Sequence, residues 1–271
     1  MGKQLVAKLR PLLAKAKWPQ TPAATPHGRQ TYLMGLDKVD EFKGHPQTLA
    51  AALRIFLTGD SAPYAYAGAA YTLVAAAQES DNHYDPGGLE TAMTWLEKAQ
   101  ELEPDLVEIN MIEALVYVYS GRLDDARLVL DYLQSQDPRD YYLLKAEIAY
   151  WRALKDVEQT VHWFNQAAAA AANVPQKLRL RSQLADFYMS AGQYDKALAI
   201  YKEAALHDKN NHILWHKMSL IYWKQADYEQ AAYANQQALR RQDFPAGRKM
   251  EAALKEKLPG TGVLGRLFGN K

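Results

Sequence analysis

The chain contains no cysteine. That excludes a disulfide framework, a zinc–thiolate site, an iron–sulfur cluster and a cysteine nucleophile. It also has little excess charge, +1 over 271 residues, so the whole chain is not a bulk nucleic-acid binder. Long apolar runs are missing. Leu5–Leu13 is broken by Lys8, Arg10 and Pro11, a poor core for a signal peptide. The stretch following Ser61 up to Glu79 is uncharged but made mostly of Ala and Tyr, too weakly apolar for a membrane span. Enzyme signatures are absent too: no G-x-S-x-G elbow, P-loop, G-x-G-x-x-G after a strand or H-E-x-x-H. No catalytic residue, cofactor or metal is therefore assigned.

What is present is an ordinary globular composition, 48% hydrophobic and 23% charged, with 6 Trp, 17 Tyr and 6 Phe. This is enough to bury a sizeable core and argues against disorder. Charge is unevenly placed. Residues 1–30 hold six basic residues and no acid, and residues 240–271 hold eight against three, leaving −10 for residues 31–239. The protein reads as an acidic body with basic ends.

An internal period organises that body. Tyr117-x3-Gly121-x4-Ala126-x3-Leu130 recurs as Trp151-x3-Lys155-x4-Thr160-x3-Phe164, as Tyr188-x3-Gly192-x4-Ala197-x3-Tyr201 and as Tyr222-x3-Ala226-x4-Ala231. With Ala92 the small-residue register is spaced 34, 34, 37 and 34 residues. Each unit reads as an apolar-striped helix, a turn and a second such helix. Ala or Thr permits a close crossing, Gly121 and Gly192 turn the chain after the first helix, and Pro104, Pro138 and Pro175 end the second. One hairpin cannot bury its own apolar face, so the hairpins must stack.

This pattern resembles the tetratricopeptide (TPR) repeat family, the best single match being Leu184-Ala185-x2-Tyr188-x3-Gly192-x-Tyr194-x2-Ala197-x3-Tyr201-x2-Ala204. The resemblance implies an all-α, right-handed helix-turn-helix superhelical solenoid with helical caps. Its five repeats fall at 61–104, 105–138, 139–175, 176–210 and 211–245. Residues 1–17 form a basic amphipathic segment, 18–31 a Pro-rich linker, 32–60 an N-terminal helical cap, 246–258 a capping helix and 259–271 a Gly-rich tail. The first repeat departs from the pattern. It carries extra residues between Gly68 and Ala92, assigned to a longer first helix and a loop Asp81–Gly88.

In this family the first helix of each repeat lines the concave groove. The matching register places Met111, Leu115 and Tyr119, then Tyr142, Lys145 and Arg152, then Arg179 and Asp186, then His216 and Trp223 in the groove. Several of them serve equally well as packing between helices. The resemblance implies a non-enzymatic scaffold or adaptor holding a partner peptide or helix there. Members that clamp acidic chaperone C-termini carry Lys and Asn on successive first helices; of the matching positions only Lys145 fits, so that subgroup is set aside.

Two metal arrangements fail on ligand number. His212 and His216 share a helix face at i, i+4 but lack a third ligand, and Asp81–Gly88 lacks calcium-loop spacing. Both read as polar surface or turn residues. RNA binding is disfavoured by the −10 body. The expected location is cytoplasmic. The alternative function is a membrane-peripheral scaffold recruited through its basic amphipathic termini, residues 1–17 and the Val263–Phe268 patch.

Overall fold

A computed structural model describes residues 2–80 and 83–258. The described residues contain fourteen α-helices and one short β-hairpin, an all-α helical-repeat fold. The chain divides into two compact units, residues 1–170 and 171–271.

Unit 1 opens with α1 (Gly2–Ala14), α2 (Pro26–Asp40) and α3 (Pro46–Thr58). Three helical hairpins follow: α4 (Ala62–Ala77) with α5 (Pro86–Gln100), α6 (Val107–Tyr119) with α7 (Leu123–Gln136), and α8 (Tyr141–Ala153) with α9 (Val157–Ala170). Unit 2 comprises α10 (Val174–Ser190) with α11 (Tyr194–His207), α12 (His212–Lys224) with α13 (Tyr228–Arg241), and α14 (Pro245–Lys257). The five hairpins fall on the five periods of the sequence.

The small-residue register sits where the helices cross. Ala92, Ala126, Thr160, Ala197 and Ala231 are all fully buried. The turns between paired helices repeat as closely. Gly121, Lys155, Gly192 and Ala226 each adopt a left-handed conformation, with φ of 76, 60, 74 and 61°. The following amide then donates back to the carbonyl of the recurring aromatic: Arg122 to Tyr117 at 2.9 Å, Asp156 to Trp151 at 3.1 Å, Gln193 to Tyr188 at 2.8 Å and Asp227 to Tyr222 at 2.9 Å. The aromatic-x3-Gly pattern is thus a helix stop, in which a left-handed residue lets the last turn's orphan carbonyls be satisfied.

The first repeat turns differently. α4 ends at Ala77, and β1 (Gln78–Ser80) pairs with β2 (His83–Tyr84) before α5 begins. Part of the expected loop is therefore the start of a helix. Asp85 caps α5 by accepting from the Gly88 amide at 2.9 Å, and Pro86 occupies the first turn, where no donor is missed. Asp81 and Asn82 lie outside the described residues, as does the Val263–Phe268 patch.

Two further boundaries differ from the sequence reading. Pro175 does not end a helix; it lies in the first turn of α10, which starts at Val174 behind the N-cap Asn173. The 37-residue spacing is absorbed by α10 itself, 17 residues long against 13 for α6, α8 and α12. Nor is residue 18–31 a loose linker throughout. Trp18 stacks on Trp95 at 4.5 Å, Ala62 donates to the Thr21 carbonyl at 2.9 Å, and Thr25 caps α2 at Gly28 with Pro26 in its first turn.

α1 runs through Pro11 and turns Leu5, Val6, Leu9 and Leu13 into the interior, where it packs on α3, α4 and α5. The Ala-rich α4 is buried almost all round, which explains an uncharged run too weakly apolar for lipid. No helix of the described residues is long and apolar enough to cross a membrane.

Candidate functional site

In unit 1 the face lined by the first helices α4, α6 and α8 carries a helix from the same chain. α2 lies against it through a ladder of polar contacts. Arg29 Nε reaches Glu108 Oε1 at 2.7 Å, and the Tyr32 hydroxyl donates to the Glu108 carbonyl at 3.1 Å. Further along α2, Asp37 accepts from the Tyr142 hydroxyl at 3.2 Å. Asp40 accepts from Lys145 Nζ at 2.5 and 2.6 Å and from the Tyr71 hydroxyl at 3.2 Å. Between these contacts Tyr32, Leu36 and Val39 are buried. Burial first, and then the neighbouring Asp40 carboxylate, push the Tyr71 and Tyr142 phenols well above their usual range. Both therefore stay protonated and donate to the α2 carboxylates.

The sequence-derived groove residues of unit 1 divide accordingly. Tyr142 and Lys145 are engaged by α2, and Lys145 also lies 5.3 Å from the Tyr142 ring centre. Met111 and Leu115 are buried. Tyr119 stacks face to face on Tyr84 of the β-hairpin at 3.9 Å, and burial raises its phenol while nearby Arg152 opposes that rise. Tyr119 also helps wall a shallow cleft of about 360 Å³, together with Tyr84, Leu89, Met93 and Arg122.

In unit 2, Arg179 is half-buried on α10. Asp186 is held by Lys217 at 2.5 and 2.7 Å and by the Tyr201 hydroxyl. His216 lies 5.1 Å from the Phe244 ring centre, near-perpendicular to it. Burial lowers its imidazole below the usual range, the neighbouring Asn235 side chain opposing this. Trp223 meets Tyr228 edge-on at 5.1 Å and packs against Ala231, Ala232, Met250 and Leu254, so it belongs to the α12–α14 core. Ile213 remains well exposed at the start of α12. Among the described residues no three His, Cys, Asp or Glu side chains come together as a metal site.

The residues that sequence reasoning missed are Arg29, Asp37 and Asp40. The signal for them was present: Thr25-Pro26 is a cap followed by a first-turn proline, opening a helix whose Tyr32, Leu36 and Val39 share one face.

Stacked helix-turn-helix hairpins with these crossings and turns define a helical-repeat protein of the tetratricopeptide class. The chain belongs to the family described as Psidin, N-terminal TPR repeats region, which matches residues 82–241. Among curated proteins no match was found. Solved structures agree on the fold. PilF of Pseudomonas aeruginosa is 15% identical with a TM-score of 0.51, over 77% of this chain and 97% of that one. The Cut9–Hcn1 hetero-tetramer of the APC/C gives 15% and 0.55, over 84% of this chain and 46% of that one. The signal-transduction ATPase PH0952 of Pyrococcus horikoshii, which has a tetratricopeptide-repeat sensor, gives 18% and 0.59 over 88% and 38%.

Proposed function

We propose that the chain is a non-enzymatic protein-interaction scaffold whose first-helix faces hold a peptide or helix of a partner protein. The observation that supports this reading is α2 itself. A helix seated on the α4–α6–α8 face by Tyr142–Asp37, Lys145–Asp40 and Arg29–Glu108 is a worked example of the recognition such a face performs. Since α2 holds that face in unit 1, the surface left for a partner is the corresponding face of unit 2, carrying Arg179, Asp186, Ile213 and His216. Met111, Leu115, Tyr119, Tyr142, Lys145 and Arg152 then act by seating or supporting elements of the chain itself. Trp223 holds the core.

Paired substitutions separate the two faces. Arg179→Ala with Ile213→Asp is expected to abolish partner capture by the tagged full-length protein while the circular dichroism spectrum stays unchanged. Lys145→Ala should leave capture intact. Loss of capture with Lys145→Ala alone, in a folded protein, would overturn the assignment. The membrane-peripheral alternative lacks most of its anchor, because Leu5, Val6, Leu9 and Leu13 of α1 are covered by the fold and Leu12 is the one large apolar side chain of that helix left outward beside Lys3, Lys8 and Arg10.

A further inference from the structure

α10 has one turn more than α6, α8 and α12, and that turn is firmly built. The Asn173 side chain accepts from the Gln176 amide at 2.9 Å, and the Gln176 side chain, itself buried, accepts from the Ala172 amide at 2.8 Å. Such capping fixes a helix end against fraying. Yet the aliphatic residues on this turn cover nothing: Val174 is 67% exposed and Leu178 57%. Beside them lies a third. Arg181, one turn after Leu178, pairs with Glu203 of the antiparallel α11, which sets Leu206, one turn after Glu203, next to Leu178. Leu206 is 71% exposed. Three exposed aliphatics brought to one side by that antiparallel register, two of them on the capped first turns of α10, form an apolar patch.

The charge around them states what fits. Lys177 sits between Val174 and Leu178, and Lys209 follows Leu206; both are exposed and among the described residues no carboxylate pairs with either, whereas the nearby Glu203 is held by Arg181 and Asp208 accepts from Asn211 Nδ2 at 3.0 Å. Unit 2 as a whole has sixteen basic residues against nine acidic, whereas unit 1 has sixteen against twenty-two. We propose that the Val174–Leu178–Leu206 ridge docks an acidic amphipathic helix of a partner protein. Its apolar stripe covers the three aliphatics and its carboxylates meet Lys177 and Lys209. The ridge is centred about a third of a turn of α10 away from the Arg179–Asp186 face, so this surface is additional to the one proposed above.

The test uses the full-length protein and a labelled synthetic helix of Leu at i, i+3, i+4 and i+7 with Glu at its polar positions, read by fluorescence anisotropy. Saturable binding is expected, weakening at least about tenfold in Val174→Asp with Leu178→Asp, in Leu206→Asp, and with Lys in place of Glu in the probe. Lys177→Glu with Lys209→Glu should weaken it by a similar factor, and about 0.5 M salt should also weaken it. All these positions are exposed, so thermal melts of the variants should match the parent. Arg179→Ala should leave binding unchanged, so failure here and failure of the face reading are distinguishable. No saturable binding up to about 100 μM, or equal affinity in the ridge variants, would overturn the proposal. So would ridge-dependent self-association in analytical ultracentrifugation, or ridge-dependent flotation with anionic vesicles but no peptide binding.

Discussion

At the scale of single residues, the turn that ends each first helix separates what the chain needs from what it tolerates. Four such turns share a left-handed residue, but only two of the four are glycine; Lys155 and Ala226 hold φ near 60° against the clash of their own Cβ. Replacing either by Gly should raise stability by about 1 kcal/mol in urea denaturation. The Gly121→Ala change should lower it by a like amount. A second residue-scale feature is Glu147, wholly buried on α8, which takes two hydrogen bonds from Arg127 at 3.0 and 2.8 Å and one from Trp151 at 3.2 Å. Glu147→Ala leaves the guanidinium with Asp131 alone, at 2.9 Å, and should cost about 2–3 kcal/mol. Replacing both partners by Leu and Met should recover most of it. His216 gives a pH-dependent prediction. Burial lowers its folded pKa, so as pH falls through about 6.5 the unfolded chain takes up a proton that the fold resists, and stability drops. Below the folded pKa the loss levels off. His216→Asn should show a shallower decline between about pH 7.5 and 5.5 when both proteins are unfolded in urea; parallel curves would remove His216 from the account.

At the scale of elements, α1 and α2 carry the consequences that matter most. Leu9→Ala should cost about 2–4 kcal/mol, because Leu9 is buried in the fold. A lipid-facing helix would leave stability untouched by the same change. Asp40→Ala leaves Lys145 without its partner and should release α2, seen as faster amide exchange over residues 26–40. The repeat hairpins themselves were legible, since the Ala92–Ala126–Thr160–Ala197–Ala231 register reports a crossing that admits only small side chains, and each crossing is there. The left-handed turns were legible through Gly121 and Gly192, less so at Lys155. What escaped was tertiary. Nothing in the period says that the face carrying Tyr142 and Lys145 is taken by residues 26–40, because Asp37 and Asp40 lie 105 residues away in the chain. Prolines 19, 22 and 26 suggested a linker. Two of them do lie in extended chain, but the third starts the helix that fills the face.

At the scale of the molecule, an acidic unit and a basic unit sit in one chain whose total charge nearly cancels. Association with an acidic partner should therefore map to residues 171–258 and weaken with salt. The claim that α2 holds the first unit's face while partners engage the second is tested most directly by zero-length carbodiimide crosslinking of the full chain, alone and with its captured partner. Lys145 and Asp40, 2.5 Å apart, should yield a crosslinked peptide pair in both samples, with partner peptides joined to residues of unit 2. Disappearance of the Lys145–Asp40 product in the complex, with Lys145 joined to the partner instead, would contradict the account.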